Sequence, residues 1–377
     1  MSMANKALQE ISPDEAIEKI YGMIADAYSF LFREGEREGN WTEARSTALA
    51  GMCLDSVCDP TSPWCQLVKD WLIKSQCETG SWGEEIWDTA MCLLALKKLG
   101  ESTKRDSLQK GLHWIASKYS LNGRDNWHDE PWETAWALIA VLRLGLPPEG
   151  INIPNAVEWF VGFQDEQGRV IAPHYTGYFL LIHDALPKIG LQHNSEKLAT
   201  AQSKAVKFLI RTLQDSDEGR LWTGEAWSNG QILWALAGSN CFPVTDAVLL
   251  HKAVNWFELH QLPEAGNWSD VEDTSSAILG LSCLLQRLVA LTEGHNAYRV
   301  INEQLHRRVA VPKPYVSRPL LERQLDGSLC INLSHRTVEL VYEIGGALAA
   351  LGVLATLIDF TLNHWGWWHL VRRLWQR

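Results

Sequence analysis

Residues 266–275 read Gly-Asn-Trp-Ser-Asp-Val-Glu-Asp-Thr-Ser, and the apolar run 277–285 follows almost at once. Three carboxylates, Asp270, Glu272 and Asp273, therefore stand at the start of a predicted buried helix. An ionised carboxylate is costly beside a core unless it is paired, hydrogen-bonded or used. Two roles fit such a stretch. One is a carboxylic acid held protonated in apolar surroundings, ready to give up its proton. The other is a cap for the free N–H groups of the helix start. The elements that position the three side chains decide between them.

The chain has 377 residues, of which 46% are apolar, enough for a large core. Its 19 Trp outnumber its 9 Phe and 8 Tyr together, which points to a wide aromatic-lined interior or cavity. A net charge of −11 argues against a nucleic-acid partner, which needs a basic face. Eight cysteines in a chain of this length do not make a disulfide framework. Cys53, Cys58, Cys65 and Cys77 cluster without a paired C-x-x-C spacing and read as reduced cysteines packed in helices, not as a zinc site. The first fifteen residues lack the apolar core of a signal peptide, so a cytoplasmic location is expected.

The chain opens its first helix with Ser12-Pro13-Asp14-Glu15, a capping box with Pro in the first turn. Beyond it a unit repeats. Its marker is a loop Trp with Gly two residues before it: Gly39/Trp41, Gly80/Trp82 and Gly266/Trp268. Asp125 precedes Trp127 in the Gly place, Gly168 precedes Val170 where Trp is expected, and Gly219 lies three residues before Trp222. The markers recur every roughly 41 to 52 residues, the range of helix-pair repeats. After each comes a helix apolar almost all round (87–99, 132–144, 175–186, 227–236, 274–288), and before each an amphipathic one such as 66–75 or 155–163. Six such pairs predict an all-α fold, an (α/α)6 toroid over residues 12–290 with six inner and six outer helices.

Residues ahead of the markers repeat too. Trp71-Leu72, Gln76, Gly80 and Trp82 share a spacing with Trp159, Gln164, Gly168 and Val170. Trp256-Phe257, Gln261, Gly266 and Trp268 match with one extra residue, and Phe208-Leu209, Gln214, Gly219 and Trp222 match more loosely. This pattern resembles the QW repeat of the squalene/oxidosqualene cyclase and class II terpene cyclase superfamily, whose toroid is shared with protein prenyltransferase β subunits. The resemblance implies a structural role for Gln76/Trp82, Gln164 and Gln261/Trp268, joining the end of an outer helix to the next loop.

Class II cyclases carry a D-x-D-D motif whose middle acid protonates an alkene or epoxide and starts a carbocation cascade. The matching string here is Asp270-Val271-Glu272-Asp273. The resemblance thus implies Glu272 as general acid, tuned by Asp270 and Asp273, an isoprenoid-like ligand, and no metal or cofactor. Two departures stand out. Glu replaces Asp at the acid position, and the family's cyclisation site lies between two toroids where this chain has residues for one. The repeat itself also supplies part of the motif, because Asp88-Thr89 and Glu133-Thr134 begin other inner helices as Asp273-Thr274 does. Asp273 therefore reads as a cap. The place of Glu272 is held elsewhere by Trp87, Trp132 and Trp227, so Glu272 is particular to repeat six.

Trp87, Trp132, Trp136, Trp227 and Trp234 fall on inner helices and either line a ligand cavity or pack the barrel. Glu84, Glu85, Asp129, Glu130 and Glu225 share the predicted mouth, which reads as an acidic, solvated rim or, with stacking Trp, as the paired carboxylates of a glycosidase. His128, His174 and Asp129 lack ligand spacing and read as loop residues, not as a metal site. Neither prenyltransferase zinc ligands nor a D-D-x-x-D magnesium motif is found.

After residue 290 the repeat is expected to give way to a basic, Pro-containing connector, 291–338, with a hairpin signal around Asp326-Gly327. Residues 339–377 hold an uncharged stretch, 344–358, followed by His364-Trp365-Gly366-Trp367-Trp368 and Arg372, Arg373 and Arg377. Apolar run and Trp/Arg flank together predict association with the inner face of a membrane. Two functions follow: a membrane-associated cyclase-type protein with Glu272 as acid, or a non-catalytic toroid that binds a ligand or protein partner and controls a membrane-active C-terminal helix.

Overall fold

The computed structural model describes residues 10–35, 40–120, 125–145, 148–191, 196–217, 219–313, 321–323 and 329–331. Two compact units are present, Met1–Tyr315 and Val316–Arg377. In the first, outer helices α1 (Pro13–Gly35), α3 (Pro63–Ser75), α5 (Asp106–Ser117), α7 (Ile153–Val161), α9 (Glu196–Gln214) and α11 (Ala247–His260) alternate along the chain with inner ones. The inner helices are α2 (Ala44–Leu54), α4 (Ile86–Lys98), α6 (Pro131–Leu144), α8 (Pro173–Ala185), α10 (Ala226–Gly238) and α12 (Val271–Glu293). Each inner helix packs on the next, and α12 packs on both α10 and α2. The ring closes, as the all-α toroid reading requires.

The inner helices are buried around most of their circumference; every residue of α2 from Ser46 to Leu54 is buried, and α6 is buried from Glu133 to Leu142. Outer helices such as α5 and α9 bury one stripe only. That difference is what an apolar-all-round and an amphipathic sequence produce when two layers of helices share one core.

One set of hydrogen bonds recurs at each joint. The indole Nε1 of the marker Trp donates to a carbonyl near the end of the preceding outer helix: Trp41 to Leu31, Trp82 to Leu72, Trp127 to Ile115, Trp222 to Leu209 and Trp268 to Phe257, all at 2.7–2.8 Å. These bonds tie each loop to a carbonyl in the last turns of the outer helix before it. The backbone N–H of the marker then donates to the fourth residue of the inner helix, to Thr Oγ1 at Thr47, Thr89, Thr134, Thr176 and Thr274, and to Asn229 Oδ1 in repeat five.

Gln76 Nε2 donates to Gly80 O and to Ser107 O at the start of the next outer helix, both at 2.8 Å. Gln164 does the same with Gly168 O and Ala201 O, and Gln261 with Gly266 O and Met23 O. The last of these ties the sixth repeat to the first. The glycines belong to the same joint. Gly80 (φ +96°) and Gly266 (φ +75°) have left-handed backbone, and a Cβ there would lie 2.5 Å from Lys110 O and 2.7 Å from Asp26 O, inside the neighbouring outer helix.

Between α10 and α12 the approach is closer still. A Cβ on Gly230 would strike the Ser276 carbonyl, and one on Gly280 the Gly230 carbonyl, so two glycines let these two backbones touch.

Two features differ from the sequence expectation. A short antiparallel pair, β1 (Tyr119–Ser120) and β2 (Asn126–Trp127), precedes α6. The boundary expected at residue 290 falls inside α12, which continues to Glu293, and a further helix, α13 (Ala297–Arg308), packs on α12 and α1. Arg308, read from sequence as part of a basic connector, bonds Glu18 at 2.8 Å and lies 4.8 Å over the Tyr21 ring. In the second unit β3 (Leu321–Arg323) pairs antiparallel with β4 (Leu329–Ile331), Leu321 opposite Ile331, flanking the expected turn. Residues 339–377 lie outside the described residues.

Among the described residues one helix is long and apolar enough to cross a bilayer, α12, and 72% of its most apolar window is buried within the protein. Its apolar surface is used as an inner stave of the ring.

Candidate functional site

The N-termini of the inner helices gather at one mouth of the ring. Because each helix begins at the same distance before its Thr or Asn, equivalent positions form layers. The second residues of the six helices are Arg45, Trp87, Trp132, His174, Trp227 and Glu272 in ring order. Three indoles, one imidazole and one ion pair thus line the mouth. The sequence reading recognised the Trp members and Glu272, missed Arg45, and placed His174 in a loop, whereas it is the second residue of α8. The signal was available, since each stands two residues before its threonine, as Trp87 does before Thr89.

Contacts run around this layer. The Arg45 guanidinium lies 4.2 Å from the Trp87 ring centre. Trp87 meets Trp132 edge to face at 5.1 Å, and His174 meets Trp227 at 5.3 Å. Arg45 Nε joins the first inner helix to the last by donating to Glu272 Oε2 at 3.0 Å, and its Nη1 lies 3.4 Å from Asp88 Oδ1. An indole face beside a guanidinium adds a cation–π attraction to the two ionic contacts. Burial desolvates the His174 ring and lowers its pKa to about 4, so it is neutral at neutral pH.

The three opening carboxylates have three different tasks. Asp270 is the N-cap of α12, its Oδ1 accepting from Asp273 N at 2.9 Å. This assigns a structural bond to a residue that the resemblance placed as a tuner of the acid. Asp273 does cap a helix, but a neighbouring one: its Oδ1 accepts the Trp227 N–H of α10 at 2.8 Å. Glu272 points into the mouth toward Arg45. Burial raises its pKa, Arg45 pulls it back, and Asp270 and Asp88 push it up again. Asp273 rises to about 6, mainly through burial, opposed by the Trp227 N–H and reinforced by the charges of Asp270, Glu272 and Glu225.

One turn deeper the layer contains Trp136, Tyr178 and Gln231, all buried. Trp136 and Tyr178 pack at 5.0 Å, and the Tyr178 hydroxyl donates to Gln231 Oε1 at 2.7 Å. Gln231 Nε2 and Trp87 Nε1 find no hydrogen-bond partner among the described residues. Trp136 is thus the floor beneath the mouth and not part of its rim. Trp234 is two turns below Trp227 on α10, about 10 Å along the helix axis, and pairs with Arg143 at 5.2 Å. The structure does not bring Trp234 to the mouth.

Glu84, Glu85, Asp129, Glu130 and Glu225 are exposed around the rim. His128 Nδ1 lies 2.8 Å from Glu133 Oε2, whose pKa is raised by burial. His128 and Asp129 have left-handed backbone (φ +55° and +58°) in the turn after β2, while the His174 ring lies tilted against Tyr175 at 4.5 Å. Among the described residues no three His, Cys, Asp or Glu side chains gather as a metal site.

No protein-family model and no curated protein matches the sequence. Solved structures do. The type II terpene cyclase MstE from Scytonema, without ligand, is 16% identical with a TM-score of 0.54 over 70% of this chain and 97% of that one. A protein from Actinoplanes is 15% identical with a TM-score of 0.52 over 72% of this chain and 99% of that one. The chain has the all-α toroid fold of a type II terpene cyclase, with six helix pairs closed on themselves.

Proposed function

We propose that the toroid binds an isoprenoid-like chain at its mouth and acts on it by proton donation in the manner of a class II cyclase. The observation that carries this reading is the convergence of Glu272 and Asp273, both with raised pKa, on the rim of the Trp87–Trp132–Trp227 layer. A protonated Glu272 would form a C–H bond to the terminal alkene carbon. The alkene's π electrons become that C–H bond as the O–H bond breaks and leaves Glu272 a carboxylate, so the cation is left on the more substituted carbon, where the indole faces stabilise positive charge. Loss of a proton from the cyclised cation ends the sequence and restores the acid. The cyclase-fold comparison spans nearly the whole of the Scytonema chain, so this reading requires no second toroid.

A specific observation favours a second reading. Arg45 pairs with Glu272 and Asp88 at the mouth, and an ion-paired carboxylate gives up no proton. With Trp136, Tyr178 and Gln231 filling the layer below, the same mouth suits a binding module in which ligand contact with the indoles, and not turnover, is the output. In either reading residues 339–377 supply the membrane association.

One experiment separates the two. Purified full-length protein is incubated with squalene and shorter linear prenyl chains between pH 5 and 8, beside Glu272→Gln and Asp273→Asn. Cyclised product that disappears in Glu272→Gln supports proton donation. Binding that quenches Trp fluorescence with no product at any pH removes it in favour of the module. For the membrane, pelleting with anionic vesicles is compared with a chain ending at residue 333, and equal sedimentation of the two sinks the anchor.

A further inference from the structure

The opposite end of the ring, where α4, α6, α8 and α10 finish, has layers of its own. Seven residues beyond their counterparts at the mouth, two turns down, stand Leu94, Trp234 and Leu279. They keep 7%, 9% and 5% of their surface, whereas Leu49, Met91, Trp136 and Ser276 in the layer above keep none. The bore is closed at that upper layer, so the residual apolar surface opens on the far end. Three turns down, about 16 Å from the mouth layer, the equivalent residues are Lys98, Arg143, Ala185, Gly238 and Cys283. Ala185 and Gly238 put little side chain into this layer, and α2 has already ended at Leu54. What results is a recess one turn deep, about 6 Å, with an apolar floor.

Arg143 reaches into this recess. Its guanidinium lies 5.2 Å from the Trp234 ring centre, although α8 stands between α6 and α10 in the ring. Yet it is poorly partnered. Asp184 Oδ2 lies 3.6 Å from Nη2, beyond hydrogen-bond length, and the buried Nε has no partner among the described residues. Burial lowers the Arg143 pKa, and Asp184 opposes that. Other cations share this end. Lys98 meets Asp55 at 3.8 Å, and Lys188 lies in the single turn Leu186–Ile189, which packs on α6. Arg287, one turn past Cys283, also has a buried Nε without a partner among the described residues. Cations near helix C-termini complement the macrodipole. That alone does not turn a guanidinium inward over an indole with its Nε unpaired.

We propose that this recess is a second binding site, one that takes a small amphipathic anion, a carboxylate or phosphate group on a short apolar body. The head supplies the acceptor that Arg143 Nε lacks, and the planar guanidinium fork suits either oxyanion in a bidentate pair. Lys98 adds positive charge from the same layer, and Lys188 from the neighbouring turn. The body lies on Leu94, Trp234 and Leu279. The closed Trp136 layer separates this site from the mouth, so it stands whether or not the mouth acts on a prenyl chain.

Cys283 gives a readout in the unaltered protein, being a free, partly exposed thiol in the Arg143 layer. The full-length protein is alkylated with iodoacetamide in the presence of hexanoate, hexyl phosphate or neutral hexanol. Mass spectrometry follows the rates at Cys283 and at exposed Cys77. At least one of the anions should slow alkylation of Cys283 severalfold and leave Cys77 unchanged, while hexanol slows neither. The anion effective at the lower concentration identifies the head group. In Arg143→Leu the concentration needed should rise about tenfold or more. The proposal is overturned if hexanol protects Cys283 as well as the anions do, if neither anion protects it, or if protection survives Arg143→Leu undiminished. Because the first measurement needs no substitution, a variant that fails to fold does not obscure it.

Discussion

Glu272 and Arg45 stand 227 positions apart in sequence, and Arg45 Nε donates to Glu272 Oε2 at 3.0 Å. Their pairing joins the first inner helix to the last, so the residue most suited to proton chemistry is also a fastening of the ring. The side chains are 17% and 25% exposed, so water weakens the pair without abolishing it. Arg45→Met should cost about 1–3 kcal/mol, less than the loss of one partner from a fully buried pair, because it strands Glu272 and Asp88 together. Adding Glu272→Gln should recover part of that. A double-mutant cycle by urea denaturation checks this, and a coupling under about 0.5 kcal/mol would sink it.

Asp273 carries a pH signature. Its folded pKa of about 6 lies above the ordinary carboxylate value of 3.8, so the folded state binds the proton more tightly than the unfolded chain. The ionised form is therefore a burden at neutral pH, relieved as pH falls from about 6 to about 4. Asp273→Asn keeps an oxygen for the Trp227 N–H and removes the charge. It should raise stability at pH 7 by about 1–2 kcal/mol and flatten the gain on acidification. Identical slopes in the two proteins between pH 6 and 4 would contradict the assignment.

Gly266 and Gly145 offer a matched comparison. Both are left-handed, at φ +75° and +69°, but a Cβ on Gly266 would enter the α1 backbone while one on Gly145 meets nothing within 4 Å. Gly145→Ala should cost about 1 kcal/mol of backbone strain. Gly266→Ala should cost about 3 kcal/mol or more, because α1 must also move. Thermal denaturation of the two variants provides the measurement, and equal losses would mean that the α1 contact is soft.

Gln261 makes two bonds with one amide nitrogen, to Met23 O and Gly266 O at 2.9 and 2.8 Å. Gln261→Met keeps the length of the side chain and leaves both carbonyls without their donor, at about 1–3 kcal/mol. Limited proteolysis should then cut near α1 first. Cleavage that begins elsewhere, with α1 unaffected, would show that the closure does not depend on this bond.

The toroid was legible because its joints repeat their chemistry. Trp and Thr return six or seven residues apart, and each makes the same bond wherever it returns. Val170 and Asn229 broke the letters of the pattern without breaking its period. The site was legible only in part. Glu272 drew notice because it replaces an indole; Arg45 holds the same offset before Thr47, but its partner becomes visible only when α12 returns to α2. Asp270 looked chemical because carboxylates crowd there, yet its three-residue offset from Asp273 is the spacing of an N-cap to its bonded N–H. Trp234 shared the composition of the mouth but lies two turns too far along its helix.

Val170 has one more consequence. It occupies the marker position of the fourth repeat, and with no indole it gives the closing carbonyls of α7 no donor of the kind found at the other five joints. At nine residues α7 is also the shortest outer helix, and its link onward rests on Gln164. The wall of the ring is therefore uneven in its resistance to opening. Amide deuterium uptake should be fastest along α7, making this the place where the barrel breathes.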